Sequence, residues 1–297
     1  MYFTGFADEA STDFDGQIKA TKELGWKHIE TRGLCGGNLA SITDGQFDEV
    51  CAKLEKSGVS FNCFGSGIGN WAKPITEPPD SSYEEMRKAI PRMQKLGIKL
   101  IRIMSFLVPK DLYGNASQFE GDAIKRIKVI AKMAEDSGIT LVHENCSSWG
   151  GLSLEHTLRL VEGVNSPALK LVYDTGNPVF HDDVRGKPPY KKQSSWEYYD
   201  AVREHVVYVH IKDGRFVDGK DIYTFAGDGD GDVRRILKDL LGNGYDGGFS
   251  MEPHMVTVFH DKSVSEEEKQ VSMYKNYVEY GQRFLKLLAD VKKEVGK

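Results

Sequence analysis

One short phrase recurs along this chain: an amphipathic stretch ends in a glycine, one or two connecting residues follow, and an apolar run begins. It appears in LGWKHIE (24–30), SGVSFNCF (57–64), LGIKLIRIM (96–104) and SGITLVHE (137–144). Glycine ends a helix at low cost because it accepts a positive φ. An apolar run suits a strand buried on both faces. SPALKLVYD (166–174), REHVVYVHI (203–211) and NGYDGGFSME (243–252) continue the series with less regular connectors, and YFTGFAD (2–8) supplies a first strand. Helical periodicity fills the intervals 13–24, 44–57, 82–96, 120–136, 153–163, 194–204, 230–242 and 263–294. In 120–136, Ile124, Ile127, Val129, Ile130, Met133 and Ala134 make an apolar stripe between lysines and arginines. Parallel strands need crossover helices, and eight units close a sheet. The alternation therefore predicts an α/β chain, a single (β/α)8 barrel domain spanning 1–297. A doubly wound sheet is the competing architecture, but GFADEAS after the first strand lacks the GxGxxG turn that favours it.

Composition narrows the function classes. With 39 basic and 44 acidic side chains the net charge is −5, which gives no general attraction for a phosphate backbone and argues against a nucleic-acid partner. No apolar run approaches the ~20 residues that span a bilayer, and MYFTGFADEAS has no signal-peptide pattern. The four cysteines (Cys35, Cys51, Cys63, Cys146) are scattered without a CxxC pair and read as reduced thiols. The expectation is a cytoplasmic protein without a membrane partner.

Loop lengths orient the barrel. Helix-to-strand connections are short, whereas 65–82, 107–119, 177–193 and 254–263 are long strand-to-helix connections. In this fold the site lies at the carboxyl ends of the strands, where those loops gather. Polar residues closing the strands are therefore the candidates: Asp8 and Glu9, Glu30 and Arg32, His143 and Glu144, Asp174, His210, and Glu252. Glu144, Asp174, His210 and Glu252 end four successive strands. Three carboxylates on one rim repel each other if left alone, and a divalent cation bound by all four residues relieves that repulsion. Oxygen-rich ligation with one imidazole suits Mn²⁺, Mg²⁺ or Co²⁺, and Zn²⁺ is also accommodated. Strand parity places His143 on the opposite side from Glu144, facing the helix layer. His254 faces the site if extended backbone persists through Pro253. His28, His156, His181, His205 and His260 fall in predicted loops or helices and receive no role.

HEN at Glu144, DTGN at Asp174, HIKD at His210 and MEPH at Glu252 together resemble the sugar phosphate isomerase/epimerase superfamily, the xylose isomerase-like TIM barrels. The resemblance covers essentially the whole chain. It implies one divalent metal, most often Mn²⁺, held by Glu144, Asp174, His210 and Glu252, with Glu144 and Glu252 doubling as the catalytic acid–base pair. Ketose 3-epimerases carry a histidine where this chain has Asn177, and a second glutamate where it has SSWGG (147–151). Arg215 stands one position early for their substrate-binding arginine. The EPH ending is more similar to the less characterised members, some of which act on 3-keto-glycosides or are C-glycoside-cleaving subunits. Asn177, Lys212, Arg215 and His254 are the expected substrate contacts, and Trp71 is a candidate for stacking on a sugar face.

The expected chemistry is proton abstraction next to a carbonyl through a metal-stabilised enediolate. Returning the proton to the opposite face gives epimerisation, and to the neighbouring carbon isomerisation. A leaving group β to the acidified carbon makes the same site a lyase or dehydratase. The substrate is expected to be a small carbohydrate or cyclitol, and the long loops have room for a homodimer contact. An endonuclease needs a histidine-rich multi-metal cluster and a basic surface, and a non-catalytic sugar-binding module has no need of the four ligands.

Overall fold

A computed structural model describes residues 1–255 and 265–297. The predicted loop 254–263 lies outside these residues from position 256 onward, as does His260. In chain order the strands are β1 (Tyr2–Gly5), β2 (His28–Thr31), β3 (Ser60–Gly65), β4 (Leu100–Ile103), β5 (Thr140–Glu144), β6 (Leu169–Asp174), β7 (Val206–Ile211), β8 (Asp213–Val217), β9 (Lys220–Thr224) and β10 (Gly248–Met251). The helices are α1 (Phe14–Glu23), α2 (Asp44–Ser57), α3 (Asp80–Leu96), α4 (Glu120–Ser137), α5 (Leu154–Val164), α6 (Asn177–Phe180), α7 (Ser195–Val202), α8 (Val233–Gly242) and α9 (Glu266–Glu294). Eight strands make one parallel sheet in the order β1-β10-β7-β6-β5-β4-β3-β2. A parallel bridge between Phe6 and Glu30 brings its two edges together, so the sheet is a nearly closed (β/α)8 barrel.

The recurring glycine phrase has the predicted local cause. Gly58, Gly97 and Gly138 cap α2, α3 and α4 in the left-handed conformation, with φ of 70°, 71° and 65°. At the other ends, Asp13, Ser153 and Ser194 accept hydrogen bonds from first-turn backbone N–H groups, and Thr43–Gln46 and Ser265–Glu268 form reciprocal capping boxes.

Two packed layers follow from strand parity. Cys63, Val142, Val172 and Tyr208 cluster on the barrel axis, flanked by Tyr2 and Leu100. Their alternates, such as Leu141, Leu171, Val209 and Ile101, pack outward in the large core beneath the helices. Phe6 continues β1 into the barrel mouth, fully buried. Gly65 at the end of β3 passes so close that a Cβ there would lie 2.5 Å from the Phe6 ring. Among the described residues, no helix is long and apolar enough to cross a membrane.

The structure adds elements that the helix and strand patterns did not anticipate. The stretch after β7 is an antiparallel hairpin, β8 paired with β9. Its turn is Asp218–Gly219, both at positive φ (52° and 77°), as a tight two-residue hairpin requires. The long loops carry local order too, with 3₁₀ turns over Lys110–Phe119 and the short α6 within 177–193. His28 opens β2 rather than lying in a loop, and bonds Ser60 Oγ at 2.9 Å.

Candidate metal centre and cleft

Period-2 geometry delivers the four predicted ligands to one point. Val142, Val172 and Tyr208 face the barrel axis, so Glu144, Asp174 and His210, each two residues farther along, face it as well. Glu252 stands two beyond the fully buried Ser250. One ligand atom from each of the four lies within 4.8 Å of all the others, and all four residues are buried. His210 Nδ1 is 3.6 Å from Glu144 Oε1 and 3.8 Å from Glu252 Oε2.

Each ligand is aimed by a separate set of bonds. Asp174 Oδ1 accepts the backbone N–H groups of Gly176 and Asn177, both at 2.8 Å, which directs Oδ2 toward the centre. Asn145 clamps the same strand end, accepting from Asp174 N at 2.7 Å and donating to its carbonyl at 2.9 Å. Glu144 accepts from Arg102 at 3.1 Å and from Asn177 Nδ2 at 3.0 Å. Glu252 meets Lys212 Nζ at 3.0 Å, Arg32 at 3.0 Å and His254 Nε2 at 3.3 Å. His210 Nε2 contacts Glu30 Oε2 at 3.0 Å. Glu30 in turn accepts from Tyr208 OH at 2.8 Å, Tyr208 OH from Asn62 at 2.9 Å, and Asn62 Oδ1 from Thr4 at 2.8 Å. A polar column thus runs down the barrel axis beneath His210.

Several placements differ from the sequence reading. Glu30 is fully buried below the rim, not on it. A register irregularity between Ile29 and Glu30 lies at this point of the β2–β3 pairing, where such features re-aim a side chain. Lys212 lines the cleft, but its ammonium is already engaged by Asp174 Oδ2 (2.9 Å) and Glu252, so it stands inside the ligand set. His254 reaches Glu252, through a left-handed turn (φ 49°) and not by extended backbone. Its Nδ1 is 3.0 Å from Glu9. Arg215 lies outside the cleft on the exposed hairpin, donating to the Asp228 carbonyl at 2.6 Å. Asn177 is buried against Glu144, and Trp71 is 62% exposed on the cleft rim. His143 is where parity put it, bonded to Ser105 Oγ at 3.0 Å away from the ligands.

The sequence reading missed Arg102 and the placement of His181, and named Arg32 as a candidate without giving it a partner. Arg102, buried in β4, is the partner of Glu144. Arg32 forks across Asp8 (2.9 Å), Glu9 (3.1 Å) and Glu252. Both guanidiniums stack on Phe6, at 4.3 Å for Arg32 and 5.6 Å for Arg102. His181 lines the cleft, its Nε2 3.0 Å from Ser147 Oγ, instead of lying idle in a loop. The arginines were legible in principle: a charged residue inside an apolar strand, as in LIRIM, needs a buried partner.

Electrostatics follow from these contacts. Burial raises the Glu144 pKa, but Arg102 and His210 outweigh it and hold the carboxyl down to about 2. Glu252 is likewise held well below the usual range: Lys212, His254 and Arg32 overcome its burial. Asp174 goes the other way, to about 6, because burial and the two glutamates exceed the pull of Lys212. Burial disfavours the His210 imidazolium, yet Glu30 and Glu144 raise its pKa to about 10.

The arrangement fits a divalent cation on one specific ground. His210 Nδ1 is buried without a hydrogen-bond partner while Nε2 is tied to a carboxylate, the pairing that orients metal-ligating histidines. Asp174 Oδ2 also has no hydrogen bond, although Lys212 is within ion-pair range. A second group, Glu9, Glu252 and His254, is equally compact, but Arg32 already bridges its two glutamates with positive charge.

Two expectations follow. Glu30→Gln removes the anionic partner of His210 and lowers Mn²⁺ affinity about 10–100-fold by calorimetry; unchanged affinity would show that Glu30 does not orient the imidazole. Binding also displaces a proton from His210, whose raised pKa keeps it protonated at neutral pH. Affinity therefore falls about tenfold per pH unit from pH 8 to 6, and more steeply near 6, where Asp174 takes up a second proton. A flat profile over that range contradicts the assignment.

The chain has relatives in both sequence and fold. Over 199 residues the chain is 26% identical to a 2-epi-5-epi-valiolone 7-phosphate 2-epimerase from an Actinoplanes species, covering 67% of this chain and 66% of that protein. Over 136 residues it is 26% identical to an inosose dehydratase from Clostridium tetani, covering 44% and 46%. The matched segments thus span less than two thirds of either relative. Among solved structures, an IOLI protein with a bound zinc atom superposes with a TM-score of 0.73 at 13% identity, covering 98% of this chain and 99% of that one. A D-tagatose 3-epimerase-like protein gives 0.72 at 17% identity, covering 99% and 100%. The sequence pattern of the xylose isomerase-like TIM barrels matches residues 18–276, nearly the whole barrel, and the chain belongs to that family.

Proposed function

We propose that this protein is a divalent-metal-dependent isomerase or epimerase of a sugar, keto-sugar or cyclitol, working by proton abstraction next to a carbonyl, with Mn²⁺ as its cation. One observation carries the reading. Glu144 and Glu252 close the two ends of the four-strand arc β5-β6-β7-β10 and converge on a buried cation seat, each with its own arginine. Two carboxylates flanking one position are what removal and return of a proton require.

Glu144, Asp174, His210 and Glu252 would hold the cation. Bound there, it would supply Lewis-acid polarisation of a carbonyl, worth several kcal/mol. The protein's own groups do the rest. Arg102, Arg32 and Lys212 keep both glutamates ionised, so either is ready to accept a proton from a substrate carbon. The glutamate that accepts it, or its counterpart across the arc, returns it. Low carboxylate basicity confines this to carbons already acidified by a neighbouring carbonyl. Asn177 and Lys212 fix the glutamate rotamers, and His254 and Asn177 face the substrate space.

A second reading, elimination of water or another group from a keto-sugar, keto-glycoside or cyclitol, uses the same machinery. The partial match to an inosose dehydratase favours it. One experiment separates the two. Mn²⁺-loaded protein is incubated in heavy water with ketoses, inososes and keto-glycosides, and products are followed by mass spectrometry and NMR. Deuterium gained by intact sugar supports isomerisation or epimerisation, and loss of water or aglycone supports the lyase. No metal-dependent exchange or elimination across the panel sinks both.

A further inference from the structure

The cleft above the candidate metal centre is lined by aromatic rings as well as by the charged groups of its floor. Its volume is about 750 Å³, within the range of roughly 300–1,000 Å³ that takes ligands of drug size. Its floor is the charged, buried ligand set, and Trp71, Tyr113, Phe180 and Tyr223 also line the cleft, with Trp71 exposed, both tyrosines half-buried and Phe180 buried. Trp71 follows β3, and Tyr223 lies on the hairpin that follows β7. Four steps separate β3 from β7 in the eight-stranded order, so these two rings come from opposite rims of the barrel.

Both rims are built rigidly. The turn that carries Trp71 is tied to the next loop by backbone bonds on either side: Met104 N to Ile68 O (2.9 Å), Phe106 N to Gly69 O (2.6 Å), Leu107 N to Lys73 O (3.0 Å) and Ile75 N to Leu107 O (2.8 Å). Gly69 has φ +62°, and a Cβ there would come within 2.4 Å of the Met104 carbonyl. An indole on so constrained a turn, exposed while Trp26 and Trp149 are buried, is held out as a platform. Across the mouth, Tyr223 packs on Phe180 (4.9 Å) and His254 (5.2 Å). An aromatic wall thus leads from the rim down to Glu252.

We infer that the outer half of the cleft, between Trp71 and the Phe180–Tyr223 wall, is a second binding compartment for a planar ring carried by the substrate. The substrate class is then a sugar or cyclitol bearing an aryl or comparable ring substituent, not a free monosaccharide. This rests on the proposed function for what occupies the floor of the cleft, and adds what fills its mouth.

Calorimetry tests it without turnover, using Mn²⁺-loaded protein with p-nitrophenyl β-D-glucoside, methyl β-D-glucoside and p-nitrophenol. The aryl glucoside is expected to bind about tenfold or more tighter than the methyl glucoside, and Trp71→Ala should remove that preference. Because Trp71 is exposed, the variant keeps the wild-type melting profile. Equal affinity for the two glucosides overturns the inference. So does a preference that survives Trp71→Ala, p-nitrophenol binding as tightly as its glucoside, or no measurable binding of the aryl glucoside. A protein that exchanges deuterium with free ketoses but shows no aryl preference keeps the proposed function and loses this inference.

Discussion

Glu144→Gln and Glu252→Gln each lower turnover about 10²–10⁴-fold, the range expected for losing a positioned acid–base group. Glutamine has the same shape and still accepts hydrogen bonds from Arg102 or Arg32, so the barrel survives both changes. What disappears is the negative charge that, on the proposed function, takes the proton and attracts the cation. The two variants differ in their surroundings. Glu252 faces Lys212, Arg32 and His254, so its neutralisation leaves several cations facing one another, and cation affinity falls further than in Glu144→Gln. The deuterium-exchange rate on whichever substrate responds, with Mn²⁺ titrations alongside, reads both effects. Full activity in either variant removes that glutamate from the chemistry.

Arg102→Leu carries the largest expected effect on stability. It strands a buried carboxylate, and breaking one side of a buried pair costs about 3–5 kcal/mol. The pH dependence has a definite sign. The Glu144 pKa is depressed to about 2, so the Arg102 contribution is present above the ordinary carboxylate pKa and is lost as pH falls toward 2. The gap between wild type and variant is therefore widest at neutral pH and narrows on acidification. Saturating Mn²⁺ narrows it too, because the cation supplies Glu144 with another positive neighbour. Denaturant titrations at pH 7 and pH 3, with and without Mn²⁺, test this. A gap independent of pH would mean that Arg102 stabilises by packing alone.

How far the sequence could be read depended on which residues obey simple periodicity. The convergence of Glu144, Asp174 and His210 was legible because they continue the axial side of their strands, and for β5 the Gly138 cap fixed where the strand begins. Arg102 obeys the same rule, two positions beyond the axial Leu100, but a strand scanned for carboxylates hides an arginine. Arg215 was expected from a resemblance in which it stood one position early, and it lies on the hairpin that the Asp218–Gly219 turn folds back, outside the cleft lining. His254 reached the site by a positive-φ turn that parity cannot foresee. Glu30 sits where the β2–β3 register slips, and its role beneath His210 depends on Tyr208 and Asn62 from other strands. Contacts of that kind are set by tertiary packing and leave no local trace.

The polar column under His210 has a consequence for how such a protein can change. Thr4, Asn62, Glu30 and Tyr208 all sit within barrel strands, so the imidazole is aimed from below by parts of the chassis. The outer lining of the cleft, in contrast, comes from turns, the short α6 and a hairpin. Loop grafts at the mouth are therefore expected to alter which ligand fits while Glu144, Asp174, His210 and Glu252 stay in register. A change as small as Asn62→Leu, three contacts below His210 in the column, is expected to disturb the aim of that imidazole without touching anything in the cleft.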